Sequence, residues 1–217
     1  MKKLIMLFAL CGVARAQTPT LSHTVSLTDE SRYLLRTLTN TVVTSATRWI
    51  DSMVPAASMR LPSSGYPGLD VFTNTIQCLK FDAASDESAH FALQLNHNAV
   101  KPTNTFKPHV HWTISEVQSA ATNSIVWGLE YTIANIGAAF PASTTVYLTN
   151  APTAPDGLIH QMNNFGDITV TNMTDSMVIM CRLFRDADNA ADSVSGDANL
   201  IGFDFHYQVD SLGSETP

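Results

Sequence analysis

The stretch Ser124-Ile125-Val126-Trp127-Gly128-Leu129-Glu130-Tyr131-Thr132-Ile133-Ala134 decides the fold. Trp127, Leu129, Tyr131 and Ile133 recur at every second position, with Gly128, Glu130 and Thr132 between them. In an extended chain this period places four large apolar side chains on one face, the pattern of a strand lying on a core. Similar segments extend in both directions. Val71–Phe81, His90–Leu95 and Val110–Val117 precede it; Thr144–Thr149, Ile159–Met162, Gly166–Thr171, Ser176–Phe184 and Leu200–Val209 follow. Turn-forming clusters separate them at 83–87, 101–105, 120–123, 150–157 and 185–196. Many short strands, punctuated by turns and with no long helical period, predict an all-β antiparallel sandwich of jelly-roll type. Its core is expected to hold Trp112, Trp127, Tyr131, Phe184, Phe203 and Phe205.

Composition agrees and excludes some functions. Of 217 residues, 14% are charged, against roughly 25% in ordinary domains. Thr, Ser, Asn and Ala take their place, which suits strands, turns and surfaces covered by neighbours. The formal charge is −7, and the 12 Lys and Arg are scattered. Nucleic-acid binding needs clustered cations to displace phosphate counterions, so no nucleic-acid partner is expected.

Three regions are expected. Residues 1–16 open with Lys2 and Lys3, run apolar from Leu4 to Val13 and close on Ala14-Arg15-Ala16. That is the pattern of a secretory signal or of an uncleaved hydrophobic arm, and it is too short to span a bilayer as a helix. Residues 17–68 form an N-terminal extension and linker. Thr28-Asp29-Glu30-Ser31 is a helix start there, Thr39–Thr47 fits helix or strand, and Pro55, Pro62 and Pro67 mark a loop. Residues 69–217 form the sandwich domain. Cys78 and Cys181 sit in apolar strand-like surroundings and are expected as buried thiols, a disulfide remaining open.

The conspicuous chemistry lies in two short runs. In Lys107-Pro108-His109-Val110-His111-Trp112, the histidines share one strand face, and Val110 and Trp112 share the other. In Phe203-Asp204-Phe205-His206-Tyr207, Asp204 and His206 share a face opposite the three aromatics. If the two strands are neighbours, His109, His111, Asp204 and His206 converge as candidate ligands for a divalent metal. Two-spaced histidines also arise on any strand with a polar face, so hydrogen-bonded imidazoles are the expectation and no cofactor is assigned. His90, His97 and His160 stand singly, and His23 lies in the extension.

Other templates fail. A cupin motif needs a Gly-rich lead-in, but Pro108 stands there and no Gly occurs between residues 69 and 127, although Glu116 follows His111 by five. GxSxG, GxxxxGK[ST] and GxGxxG are absent. Asp186, Asp188, Asp192 and Asp197 offer calcium-type oxygens without the Gly and Glu of an EF-hand, and read as a solvated loop. No catalytic residue is assigned.

The runs Phe106–Trp112 and Val126–Tyr131 resemble a family of virion structural proteins of tailed bacteriophages. So do His160-Gln161-Met162 before Phe165 and Ile168, Leu183–Asp186, and Phe203–Ser214. The resemblance spans about residues 70–214. It departs at Leu95-Asn96-His97, where the family reads Leu-Pro-His, and at the signal-like N-terminus. It implies a capsid- or tail-associated component of decoration type, partnered by other virion proteins and by copies of itself, with a trimer expected, and localised to the virion. A cleaved signal would instead place the chain in the periplasm or outside the cell. Two other functions fit the sequence: a receptor- or glycan-binding head using exposed Trp49 or Tyr66, and a cupin-like metal-dependent enzyme using His109, His111 and His206.

Overall fold

The structure is a computed structural model that describes residues 47–116, 123–151 and 157–210. Contacts divide the chain between Thr39 and Asn40, and every described residue belongs to the second unit. The readings made of residues 1–46 therefore lie outside the described part.

Eleven strands are present among the described residues: β1 (Arg48–Pro55), β2 (Gly68–Thr73), β3 (Ile76–Phe81), β4 (Glu87–Gln94), β5 (Asn104–Ile114), β6 (Ile125–Ala134), β7 (Thr144–Asn150), β8 (Gln161–Asn164), β9 (Ile168–Val170), β10 (Val178–Arg185) and β11 (Ala198–Val209). One sheet runs β2-β3-β11-β5-β8, with β1 also on β11 and β9 also on β5; the other runs β4-β10-β6-β7. All pairings are antiparallel. Setting aside β1, β2 and β9, the sheets are β3-β11-β5-β8 and β4-β10-β6-β7. Successive strands pass from sheet to sheet except between β6 and β7, and this order is the eight-stranded jelly roll of two Greek keys. The chain is an antiparallel β-sandwich, as its alternating strands predict.

The core lies between the sheets. Phe81, Trp112, Trp127, Phe203, Phe205 and Tyr207 are fully buried in it. Trp127 meets Phe81 edge-on at 5.1 Å and Trp112 at 6.1 Å between ring centres. Burial of aromatics of this size, at roughly 25 cal/mol per Å² of apolar surface, dominates the hydrophobic stabilisation. Tyr131 is half-buried and packs on this core. Phe184 is buried too, but on the opposite face of its sheet, across Gly128.

Three local readings differ from the sequence expectation. The sandwich begins earlier than residue 69: Arg48–Pro55, placed with the linker, is a strand paired along its length with β11. Its inward residues Ile50 and Val54 pack on the core, whereas Trp49, Asp51 and Met53 face out. The run Val71–Phe81 is a hairpin, turned at Asn74, which has φ 51°. Asn104 and Thr105 belong to β5 and pair with β9, where a turn over 101–105 was expected. Among the described residues no helix is long and apolar enough to cross a membrane.

Candidate functional site

The outer face of the larger sheet collects four of the seven histidines. β5 and β11 are hydrogen-bonded neighbours, with Asp204 opposite His109 and Gly202 opposite His111. The convergence expected of the two runs therefore occurs. A bulge is responsible for half of it. The β11 register slips between Leu200 and Gly202. That extra residue changes the phase of alternation, so Leu200 and Phe203 both enter the core. Asp204 and His206 are thereby turned outward with His109 and His111.

Asp204 is the hub. Its Oδ1 accepts from His109 Nδ1 at 3.1 Å, and its Oδ2 accepts from His111 Nε2 at 3.0 Å. His206 Nε2 lies 3.5 Å from the same Oδ2 and 3.1 Å from Asp51 Oδ1 on β1. His111 Nδ1 faces His160 Nε2 at 2.9 Å. One of these two ring nitrogens donates to the other, which ties His160 to His111 and through it to Asp204. The His109 and His206 rings are 4.2 Å apart at their centres. His109 and Asp204 are buried although they face outward, with side-chain exposures of 6% and 7%. His206 is half-buried and Asp51 is open to solvent. Burial, reinforced by the neighbouring His206, pushes the His109 imidazole below its usual pKa, and the Asp204 carboxylate opposes this. His109, Asp204 and His206 each offer one ligand atom within 4.8 Å of the others. The cluster is thus three imidazoles around one buried carboxylate, opening to water on the Asp51 side.

Sequence spacing found four members of this cluster. It missed Asp51 and His160, which reach it from β1 and from the residue before β8. Asp51 lies in a stretch assigned to the linker, and His160 is 49 positions from His111. No local period connects either to the motif. Of the remaining single histidines, His90 lies on β4 and His97 Nε2 is 2.7 Å from Ser176 Oγ. The carboxylate among the histidines is Asp204, not the Glu116 of a cupin-like spacing.

The acidic loop also departs from its reading as solvated. Arg185, fully buried at the end of β10, gives Nε and Nη2 to the two Asp192 oxygens at 3.0 and 2.8 Å. Nη1 reaches the carbonyls of Phe81 and Gly196, and Nη2 also reaches that of Val194. All five guanidinium donors are satisfied, so the loop 186–197 is wrapped around a buried ion pair. Asp86, Asp186 and Asp188 form a looser group at the surface. Cys78 and Cys181 are free thiols, and burial raises the pKa of Cys181 far above its usual value.

A second concavity lies on the smaller sheet. It is a groove of about 380 Å³ lined by His90, Glu130, Tyr131, Met180 and Arg182 among others. Arg182 Nε donates to Glu130 Oε2 at 2.8 Å across it. Trp49 and Tyr66 are both about half exposed, and neither lines this groove.

No family model and no curated protein matches the chain. Among solved structures it is similar to a chain of infectious bursal disease virus, Gx strain, at 12% identity, covering 77% of this chain and 34% of that one, with a TM-score of 0.40. It is also similar to CBM35 from Cellvibrio japonicus Abf62, at 11% identity, 72% and 92% coverage and a TM-score of 0.37. The chain spans about a third of the virus protein it matches. The jelly-roll assignment rests on the strand order itself.

Proposed function

We propose that this chain is a structural component of a virus particle, of capsid- or tail-associated decoration type, and that it works by packing against copies of itself and other virion proteins. One observation carries the reading. The β2–β3 hairpin forms the edge of the larger sheet, and its Leu69, Val71 and Ile76 are 60%, 50% and 61% exposed. Leu69 is paired with Leu79, a core residue, so Leu69 and Val71 belong to the core-facing side of the sheet, yet the opposite sheet leaves them open. β3 joins β11 only through Leu79–Phe81, because β1 occupies the rest of that strand. The hairpin therefore leaves Leu69 and Val71 uncovered on the core-facing side and Ile76 exposed on the other. An apolar edge strand with open backbone groups is a template for association, and soluble monomers blunt such edges. The low charge of the chain and the resemblance of its His109–Trp112 and Phe203–Ser214 runs to phage virion proteins support the same reading. The occupant is a second copy of the hairpin region, and a closed trimer is the expected assembly.

Sedimentation velocity of the full chain, with Leu69→Lys/Val71→Lys as the comparison, tests this. The wild-type chain is expected to sediment as an oligomer at micromolar concentration and the variant as a monomer. A wild-type monomer at all concentrations, or an oligomer indifferent to the two lysines, would overturn the reading.

A second reading has its own observation. The groove on the smaller sheet combines Met180 with the polar His90, Glu130 and Arg182, a mixture that suits a sugar or receptor side chain. A glycan array without hits would remove the glycan form of it.

A further inference from the structure

We infer that His109, Asp204 and His206 form a binding site for one divalent transition-metal cation of the zinc class, with Asp51 recruited as the fourth ligand, so that the ion would clamp β1, β11 and β5 together. The inference does not depend on the particle role proposed above.

The spacing of the ligand atoms fits a tetrahedral ion. Zinc binds imidazole nitrogen and carboxylate oxygen at about 2.0–2.2 Å, which sets neighbouring ligand atoms about 3.3–3.6 Å apart in a tetrahedron. His109 Nδ1 to Asp204 Oδ1 is 3.1 Å, His206 Nε2 to Asp204 Oδ2 is 3.5 Å, and His206 Nε2 to Asp51 Oδ1 is 3.1 Å. β5 and β11 already hold donor atoms of His109, Asp204 and His206 within 4.8 Å of one another, and the exposed Asp51, 3.1 Å from His206 on β1, would swing in to complete the tetrahedron.

Proton accounting favours a cation there. His206 Nε2 faces oxygens of two different carboxylates, and one N–H cannot point well at both. A dication placed between them satisfies both oxygens and both imidazoles, with each ring moving its proton to the other nitrogen. Two imidazoles with carboxylate oxygens are a donor set for zinc and its neighbours rather than for calcium or magnesium. A supporting shell is present: His111, itself held by His160, hydrogen-bonds Asp204 Oδ2 and fixes the carboxylate plane. An entry path is present too. Asp51 has 60% side-chain exposure and His206 29%, whereas His109 and Asp204 form the buried floor.

The experiment uses the full chain stripped with a chelator, then titrated with zinc by calorimetry and with cobalt by visible absorption. One equivalent is expected to bind, with the ligand-field bands of tetrahedral cobalt and a raised melting temperature. His206→Ala should weaken binding by more than about tenfold and abolish the thermal shift. His90→Ala, on the other sheet, should change neither. Asp51→Asn, at an exposed position, is the second variant should His206→Ala fail to fold, and it is expected to weaken binding in the same direction. Absence of stoichiometric uptake by the wild-type chain would overturn the assignment. So would uptake that folded His206→Ala or Asp51→Asn leaves unchanged.

Discussion

Arg185 and Asp192 carry the sharpest consequence of any single pair. Both side chains are essentially without solvent exposure, and all five guanidinium donors are used. Removing one partner of such a pair strands a buried charge, which typically costs about 3–5 kcal/mol. Arg185→Met and Asp192→Ala are each expected to lower the unfolding free energy by that order, read from urea melts. The double variant should cost less than the sum, because the first change has already removed the interaction. Gly128 is the other position where one atom matters. A Cβ there would lie 2.0 Å from Phe184 Cζ. The ring, held by Arg182 at 4.2 Å and edge-on to Tyr147, occupies that space. Gly128→Ala should therefore cost about 1–3 kcal/mol by overpacking, and much less in a Phe184→Ala background. Thermal or urea melts of Gly128→Ala, Phe184→Ala and the double variant check this. The sequence shows Gly128 as a gap in an alternating strand but gives no sign of what fills it. Likewise, Arg185-Asp186-Ala187-Asp188 reads as a solvated acidic run because burial of Asp192 depends on carbonyls of Phe81, Val194 and Gly196, and alternation does not encode such contacts.

Among the strands, β4 and β6 hold two glutamates with opposite pH behaviour. Burial raises the pKa of Glu87, against the pull of its bond from the Asp82 N–H. The fold prefers its protonated form; that preference is present below the ordinary carboxylate value and is lost as pH rises through the raised one. Glu87→Gln is therefore expected to stabilise the chain at neutral pH and to do nothing in acid. Glu130 is lowered, first by the Ser143 hydroxyl and then by Arg182. Its contribution is present above the ordinary value and fades as pH falls through the lowered one. Glu130→Gln should cost up to about 1 kcal/mol at neutral pH, and the difference should vanish in acid. Urea midpoints at neutral and acidic pH for both variants give the signs. Most strands were readable because each has one buried face, which imposes period two. β1 was not, since Pro55, Pro62 and Pro67 dominate its surroundings and its inward residues Ile50, Ser52 and Val54 include only two apolar side chains. The bulge at Leu200–Gly202 was equally hidden, and it decides which way Asp204 points.

For the whole molecule, the strand order fixes a jelly roll, and the surface it leaves open bears on function. The His–Asp cluster could be assembled on paper from two motifs only by assuming that β5 and β11 are neighbours. The fold supplies that adjacency and adds Asp51 and His160 from more distant segments. The apolar β2–β3 edge is a different kind of feature, visible only once it is known which residues the second sheet fails to cover. In sequence Val71 only opens an expected strand and nothing marks Leu69, and the exposure of both makes self-association the expected behaviour of the chain. The most direct test is amide hydrogen exchange of the full chain at dilute and at high micromolar concentration. Packing at this edge predicts that amides of Leu69–Thr73 become protected as concentration rises, while those of β7, at the edge of the other sheet, do not change. Equal exchange of β2 at both concentrations would contradict it.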